Sequence, residues 1–145
     1  MKVVLEKISQ KNEESAYIRV ADITESVKEA VMLLENGRQS LTGVCDGEKI
    51  AIDLLHIYYI ESVDMKSFVY TKDGCAEVPY RLYELENMLG NRFFRCSKSM
   101  ILNSRKIKSV KADGNGRMNA VLLNDEMIVI SRSYVKELKK RLGLL

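Results

Sequence analysis

The pattern of apolar positions in the first forty residues predicts one strand and one helix. Val3–Ile8 is a short, mainly apolar run and is a candidate strand. Apolar residues then recur at helical spacing, at Ile23, Val27, Ala30, Val31 and Leu34. Asp22 or Thr24 can cap the start of this helix, and Gly37 suits the position just after its end. Residues 1–40 therefore predict a β-α extension.

In the rest of the chain, short apolar runs are separated by turn-forming residues. Leu41–Cys45 and Glu48–Ile52 flank Asp46-Gly47, a pair that is typical of a two-residue hairpin turn. The same pattern continues at Ile57–Glu61, Ser67–Lys72, Cys75–Val78, Arg117–Leu123 and Met127–Ile130. Repeated short strands of this kind predict a mostly β domain over residues 41–145.

Two further helices are expected in this domain. Tyr80–Leu89 follows Pro79 and carries leucines on one face before Gly90. A C-terminal helix should begin near Ser133, with apolar side chains inward at Val135, Leu138 and Leu142. Its basic side chains should point outward, at Lys136, Lys139, Lys140 and Arg141. No helix pair has the pattern of a helix-turn-helix.

Charge is distributed unevenly along the chain, whose net charge is only +3. Residues 41–90 sum to −5, whereas residues 91–145 sum to +9. The most one-sided segment, Asn91–Ala112, holds seven basic side chains and no acidic one. A solvated face is the plain explanation of such a run. Because apolar residues are interleaved with the charges, we instead expect a folded segment that faces a polyanion.

The basic segment predicts a strand, a turn and a second strand. Met100–Leu102 ends at the turn-forming pair Asn103-Ser104, and Lys106–Lys111 alternates in part like a strand. This arrangement would hold several polar and basic side chains near one end of a β-element, namely Arg95, Ser97, Lys98, Ser99 and Asn103. Lysine and arginine there would neutralise phosphates, while serine and asparagine could bond phosphate oxygens or base edges.

Cysteine usage and hydropathy narrow the class of protein. Cys45, Cys75 and Cys96 are far apart and form no Cys-x-x-Cys pair, so neither a disulfide framework nor a zinc site is expected. Cys45 and Cys75 should be buried, whereas basic neighbours should favour the thiolate of Cys96. No apolar run approaches the roughly 20 residues of a membrane-spanning helix, and the N-terminus lacks a signal-peptide pattern. We expect a cytoplasmic protein without membrane contact.

Catalytic chemistry has no recognisable sequence pattern here. His56 is the single histidine and has no acid-base partner that the sequence reveals. A glycine-rich phosphate loop, a metal constellation and a nucleophile triad are all missing from the sequence. We therefore expect a binding protein with no cofactor rather than an enzyme.

Several separated motifs, in order, resemble the LytTR-type DNA-binding domain of bacterial response regulators and stand-alone transcription factors. They are Ile57-Tyr58-Tyr59-Ile60-Glu61, then Phe93 or Phe94 with Arg95, Ser99 and Asn103, and then Ser131-Arg132. The likeness covers roughly residues 41–144. Separated elements in the right order are more specific than any single short motif.

This resemblance implies a mostly β, α+β fold, an elongated stack of small antiparallel sheets with flanking short helices. Such domains insert basic loops into successive major grooves of double-stranded DNA. The DNA-binding residues expected in this chain are Lys66, Arg95, Ser97, Lys98, Ser99, Asn103, Arg105, Ser131, Arg132 and Lys136. Ser99 and Asn103 could equally hold the strand geometry. Lys66 and Ser97-Lys98 depart from the residues common in the family, which leaves the base preference open.

Residues 1–40 lie outside the resemblance. They are too few for a receiver domain and lack its acidic magnesium-binding cluster, so we expect a stand-alone regulator. The extension could dock on its own domain or form a homodimer, and a homodimer on paired repeat sites is expected. Two alternatives remain. One is a non-catalytic interaction or ligand-sensing module whose basic face docks an acidic partner; the other is an RNA binder, which would need exposed Phe93 or Phe94 for stacking.

Overall fold

The computed structural model of the chain describes residues 1–36 and 39–144. The chain divides into two compact units, Met1–Arg38 and Gln39–Leu145. Gly37, which was predicted to follow the first helix, lies outside the described residues.

The N-terminal unit contains a 3-10 turn at Lys11–Glu13 and one α-helix, α1, at Glu25–Asn36. Thr24 caps this helix, since its Oγ1 accepts a hydrogen bond from the Val27 N–H at 3.3 Å. The predicted strand at Val3–Ile8 is wrong, because the described residues before Ser40 include no strand. An apolar run forms a strand only where a neighbouring strand pairs with its backbone groups.

The C-terminal unit is built mainly from strands. Within its described residues they are Ser40–Cys45 (β1), Glu48–Asp53 (β2), Tyr59–Val63 (β3), Lys66–Thr71 (β4), Gly74–Val78 (β5), Phe93–Ser97 (β6), Met100–Asn103 (β7), Ile107–Ala112 (β8), Met118–Leu122 (β9) and Met127–Ile130 (β10). The α-helices are Leu82–Met88 (α2) and Val135–Arg141 (α3). A seven-stranded antiparallel sheet has the order β2-β1-β5-β4-β3-β7-β6, and a three-stranded sheet has the order β10-β9-β8. The predicted mostly β fold is confirmed.

Side chains on the two faces of the seven-stranded sheet belong to two separate hydrophobic cores. Ile60 on β3 and Ile101 on β7 are fully buried in the core that contains Leu85 of α2. Tyr59 and Leu102, the adjacent residues on the same strands, belong to the other core. That core also contains side chains of the three-stranded sheet and of α3. The second sheet and α3 therefore pack on the face opposite α2.

Local turn chemistry predicts the first hairpin correctly. Cys45 pairs with Glu48 across the turn. Asp46 and Gly47 have φ angles of 50° and 79°, and left-handed backbone at both central positions is what a type I′ turn requires.

Two predicted strands differ from the structure in extent or partner. The strand that was expected at Ile57–Glu61 begins later, at Tyr59, because Leu54–His56 form a 3-10 turn that the Asp53 carboxylate caps. The strand that was expected at Lys106–Lys111 is present as β8 but begins one residue later, because Lys106 ends a 3-10 turn, and it pairs with β9 in the three-stranded sheet. Met100–Leu102, its expected partner, pairs instead with β6 and β3.

The C-terminal helix is present, and Leu138 is its buried residue. Lys136 and Lys140 are exposed as predicted. The prediction for Arg141 is wrong, because its side chain turns back toward the core. Its guanidinium carbon lies 5.4 Å from the centroid of the Phe94 ring, and its Nε donates to Glu137 Oε1 at 2.9 Å.

Candidate nucleic-acid interface

A two-residue hairpin tip joins β3 to β4. Asp64 and Met65 form this tip, both with left-handed backbone, at φ 50° and 66°. The turn places Lys66 at the first position of β4 with an exposed side chain. The Lys66 ammonium lies 3.7 Å from Glu77 Oε1, and both side chains remain open to solvent. A contact of this kind in water is weak, so the lysine is available to a stronger anion.

A second hairpin tip joins β6 to β7. Lys98 and Ser99 form it and are exposed. The register of the two strands shifts between Arg95 and Ser97. Ser97 Oγ then accepts a hydrogen bond from the Ser99 N–H at 3.2 Å, which closes the tip around Lys98.

The two hairpin tips lie at the same end of the seven-stranded sheet. The Ser62 N–H, at the end of β3, donates to the Ser99 carbonyl at 2.8 Å. Arg81, just before α2, donates from its guanidinium to the Met65 carbonyl at 3.1 Å. The Ser62–Ser99 bond therefore holds the two hairpins side by side, and the Arg81 bond fixes the first tip to the start of α2.

A third segment reaches the same end from the three-stranded sheet. Ser131 follows β10, and its N–H donates to the Cys96 carbonyl on β6 at 2.9 Å. Arg132 comes next, is exposed, and begins a 3-10 turn that leads into α3. Lys136 is exposed in the first turn of α3. We call the three segments Asp64–Lys66, Ser97–Ser99 and Ser131–Arg132 the loop edge.

The remaining predicted site residues, Arg95, Asn103 and Arg105, lie outside the loop edge. Arg95 sits within β6, where its Nε lies 3.9 Å from Glu86 Oε1 of α2. Asn103 is fully buried at the opposite end of β7 from Ser99. Its Nδ2 donates to the Ile57 carbonyl at 2.8 Å, and its Oδ1 accepts from the Arg105 N–H at 3.0 Å. The expected clustering of Asn103 with the tip serines is therefore wrong, whereas Arg95 is on the same strand as Ser97, two residues before it.

Asn103 is separated from the tip because β7 pairs with β6. Phe93 pairs with Asn103, whereas Ser97 pairs with Met100. Asn103 and Ser97 are thus at opposite ends of one hairpin, and Arg105 follows Asn103 on the far side. Of the two roles considered for Asn103, its contacts favour the scaffold.

The predictions for Cys75 and Cys96 are wrong, and Cys45 is only partly buried. Cys96 is fully buried, and burial raises the pKa of its thiol to about 12 in spite of the neighbouring Arg95 charge. Cys75 is exposed and Cys45 is partly exposed. Strand alternation explains the difference, since Cys96 points with Phe94 into the core that α3 covers.

Aromatic side chains of the basic segment do not form a stacking surface. Phe93 and Phe94 are 5% and 3% exposed. Proteins that read single-stranded RNA stack bases on exposed rings. The burial of these two rings therefore argues against the RNA-binding alternative.

Two features of the loop edge had been missed in the sequence. Arg81 is brought to the Met65 carbonyl by the packing of α2, which no local pattern reveals. The loop between β8 and β9 contacts Arg132 at Gly116, where an added Cβ would lie 2.8 Å from Arg132 Cδ. The glycine-rich run Asp113-Gly-Asn-Gly-Arg117 predicts a turn but not what it touches.

The described residues contain no cluster of His, Cys, Asp or Glu side chains suited to holding a metal ion. Among the same residues, no helix is long and apolar enough to cross a membrane. At the loop edge, the ammonium groups of Lys66 and Lys98 and the guanidinium of Arg132 are exposed, and serine hydroxyls lie in the same segments.

The sequence profile of the LytTr DNA-binding domain matches residues 47–143. This match spans most of the C-terminal unit and more than half of the chain. It includes every segment of the loop edge.

Curated relatives extend the likeness toward the N-terminus. An uncharacterized HTH-type transcriptional regulator of Staphylococcus aureus strain NCTC 8325 / PS 47 is 29% identical over 138 residues, which covers 92% of this chain and 93% of that protein. A similarly named protein of S. aureus strain MRSA252 is 28% identical with the same coverage. The 8% of this chain left uncovered is shorter than Met1–Arg38, so the alignment includes part of the N-terminal unit.

A solved structure shares the fold. A LytTr DNA-binding domain from Bacillus cereus has a TM-score of 0.69 and 28% identity, and the match covers 74% of this chain and 99% of that one. The names of the S. aureus proteins refer to a helix-turn-helix. In the described ranges of this chain, however, no two α-helices follow one another directly, since strands come after α1 and after α2.

Proposed function

Because the chain belongs to the LytTR family of DNA-binding domains, we propose that it is a transcriptional regulator that recognises a specific sequence in double-stranded DNA through its loop edge. Relatives that carry the name of transcriptional regulators align with nearly the whole chain. The chain acts in this proposal by binding and not by catalysis.

One observation carries the choice of surface. Three loops that are distant in sequence are joined at one end of the C-terminal unit, by the bonds from Ser62 to Ser99 and from Ser131 to Cys96. Each loop supplies one exposed cation, from Lys66, Lys98 and Arg132. A row of exposed cations on fixed turns suits a polyanion with regularly spaced charges.

The roles of the cations differ in this proposal. Arg132 and Lys98 contact base edges, because such side chains can donate to the O6 and N7 acceptors of guanine in the major groove. Lys66 and Lys136 neutralise phosphates, and Ser97 and Ser99 bond phosphate oxygens or base edges. The loops enter successive major grooves, so that recognition needs no recognition helix.

Residues 1–40 form a separate extension in this proposal, which docks on its own C-terminal domain or makes a homodimer. A homodimer would present two loop edges to a paired repeat site, in keeping with the two-fold symmetry common in such complexes. Sedimentation of the protein with and without a duplex that carries one or two copies of the site tests this part.

The first experiment is selection of duplexes from a random pool by the purified protein, followed by sequencing, at moderate and at higher salt. Specific base contacts survive salt better than phosphate contacts do. Enrichment of a short element at both salt concentrations is the expected result. Binding that disappears at higher salt and enriches no element would contradict the proposal, and it would favour a module that docks an acidic partner on the same basic face.

A further inference from the structure

The side chain of Arg132 lies on the backbone of a glycine. Gly116, in the loop between β8 and β9, has φ +80°, and a Cβ built there would lie 2.8 Å from Cδ and 3.1 Å from Cγ of Arg132. Carbon atoms make favourable contacts at about 3.5–4.0 Å. The methylene groups of Arg132 therefore occupy room that exists only because residue 116 has no side chain.

The loop beneath Arg132 is closed by its own hydrogen bonds. Asp113 Oδ1 accepts from the Asn115 N–H at 3.0 Å, and Asp113 Oδ2 lies 3.0 Å from Arg117 Nε. The Asp113 N–H also donates to the Arg117 carbonyl at 3.2 Å. The Asp113 carboxylate is mostly buried within these contacts. Gly116 is thus part of a loop whose shape is set before any ligand arrives.

The backbone around Arg132 is also held by hydrogen bonds of its neighbours. The Ser131 N–H donates to the Cys96 carbonyl, and the Tyr134 N–H donates to the Ser131 carbonyl, each at 2.9 Å. An arginine that is fixed at its backbone and along its stem loses less rotamer freedom when its guanidinium binds.

We propose that Gly116 is a positioning residue, which sets the direction of the Arg132 guanidinium and thereby the sequence preference, without contacting DNA itself. This inference rests on the proposed function, in which Arg132 contacts a base edge. The hydrogen bonds of Asp113 hold the loop so that Gly116 lies against the methylene groups of Arg132. Any side chain at position 116 displaces that stem.

The contact predicts an unusual outcome for Gly116→Ala. The colliding atoms belong to a flexible exposed side chain and not to backbone, so Arg132 can swing aside while the fold is retained. Gly114→Ala is the matched control. Gly114 lies in the same loop with φ +87°, and an added Cβ there meets nothing within 4 Å. Both substitutions strain a left-handed backbone, but only one moves Arg132.

The experiment measures dissociation constants for the duplex that selection enriches and for a scrambled duplex of the same length and composition. It uses the full chain as wild type, Gly116→Ala, Gly114→Ala, Arg132→Ala and the Gly116→Ala/Arg132→Ala double variant. Circular dichroism and thermal melting confirm that each variant is folded.

We expect Arg132→Ala to lower the ratio of specific to scrambled affinity by about 5- to 150-fold, the range of one bidentate base contact. Gly116→Ala should lower this ratio nearly as much, whereas Gly114→Ala should leave it unchanged. The ratio of the double variant should equal that of Arg132→Ala alone.

Two contrary results have different meanings. Equal losses for Gly116→Ala and Gly114→Ala would overturn the positioning role and assign the effect to backbone strain, and so would additive losses in the double variant. A ratio unchanged in Arg132→Ala would instead overturn the base-contact role in the proposed function.

Discussion

The Tyr59 hydroxyl donates a hydrogen bond to Glu126 Oε2 at 2.7 Å. Tyr59 belongs to the seven-stranded sheet, whereas Glu126 lies in the turn between β9 and β10 of the three-stranded sheet. Burial and the contact with Glu126 raise the pKa of Tyr59, so the hydroxyl remains a donor at neutral pH. The Tyr70 ring stacks on Tyr59 with centroids 4.5 Å apart. This bond ties together the two sheets whose loops form the loop edge.

Tyr59→Phe keeps the ring and its stacking and removes only the hydroxyl. We expect the free energy of unfolding to fall by about 1–2 kcal/mol, because a hydrogen bond to a charged group is lost between the sheets. Urea denaturation at pH 7 measures it. Tyr83→Phe is the control, since Tyr83 is 65% exposed, and it should change stability by less than about 0.5 kcal/mol. Equal losses of unfolding free energy in the two variants would mean that the Tyr59–Glu126 hydrogen bond does not stabilise the contact between the sheets.

The sequence predicts those parts of the fold that depend on local chemistry. Asp46-Gly47 adopts left-handed backbone because few other pairs do so at low cost, and the first hairpin follows directly. Pairing partners depend on distant residues. Most of Lys106–Lys111 forms a strand as expected, but nothing in its own residues shows that β9 is its neighbour. The predicted strand at Val3–Ile8 failed for the same reason.

The loop edge could be predicted only in part. Lys98 and Arg132 stand in motifs whose charge and turn residues both point to an exposed anion-binding loop. Asn103 has the same residue type as a base-reading asparagine, and only the tertiary structure reveals that it is buried. The role of Gly116 could not be predicted, because it depends on the Arg132 side chain that lies against it, which is distant in sequence.

Asn103→Ala separates a scaffold role from DNA contact. The change leaves the buried Ile57 carbonyl and the Arg105 N–H without their side-chain partner. We expect the free energy of unfolding to fall by about 1–3 kcal/mol, the cost of one unsatisfied buried group, since the Ile57 carbonyl is buried whereas the Arg105 N–H is only partly so. Chemical denaturation measures the loss, and the exposed Asn91→Ala variant is the control. A stable Asn103→Ala protein with weakened DNA binding would contradict the scaffold role.

The raised pKa of the Cys96 thiol predicts that the protein loses stability in alkaline solution. Its thiol pKa is about 12 in the folded chain and near 9.0 when exposed. The unfolded chain therefore releases this proton first, so the stabilising contribution is complete below pH 9 and is lost as the pH rises from 9 to 12. Thermal melting of wild type and Cys96→Ala across this range tests the effect.

The difference between the two melting curves isolates Cys96, because Tyr59 and Tyr70, whose pKa values are also raised, are present in both proteins. Wild type should lose stability more steeply than Cys96→Ala above pH 9. Parallel curves would mean that the thiol is not shielded from solvent.

Arg132→Ala and Lys136→Ala should weaken DNA binding in different ways. Loss of Arg132 should relax the sequence preference by about 1–3 kcal/mol, since a bidentate base contact disappears. Loss of Lys136 should weaken binding to all duplexes alike, because a phosphate contact carries no sequence information. Fluorescence anisotropy with the enriched and the scrambled duplex measures both. Equal losses on the two duplexes for both variants would contradict these roles.

Lys66 and Lys72 lie at opposite ends of β4 and test whether DNA meets only one end of the sheet. Lys66 begins the strand at the loop edge, whereas Lys72 follows it in the exposed turn before β5. Each alanine variant removes one positive charge, so the effect on net charge is the same. Lys66→Ala should weaken binding and should lower the slope of log affinity against log salt by about 0.9, the value for one lost phosphate contact. Lys72→Ala should leave the slope unchanged, because at about 0.1 M salt exposed charges are screened beyond about 10 Å.

Titrations at four salt concentrations give both slopes, and a matching decrease in the two variants would mean that long-range attraction, not the loop edge, provides the affinity.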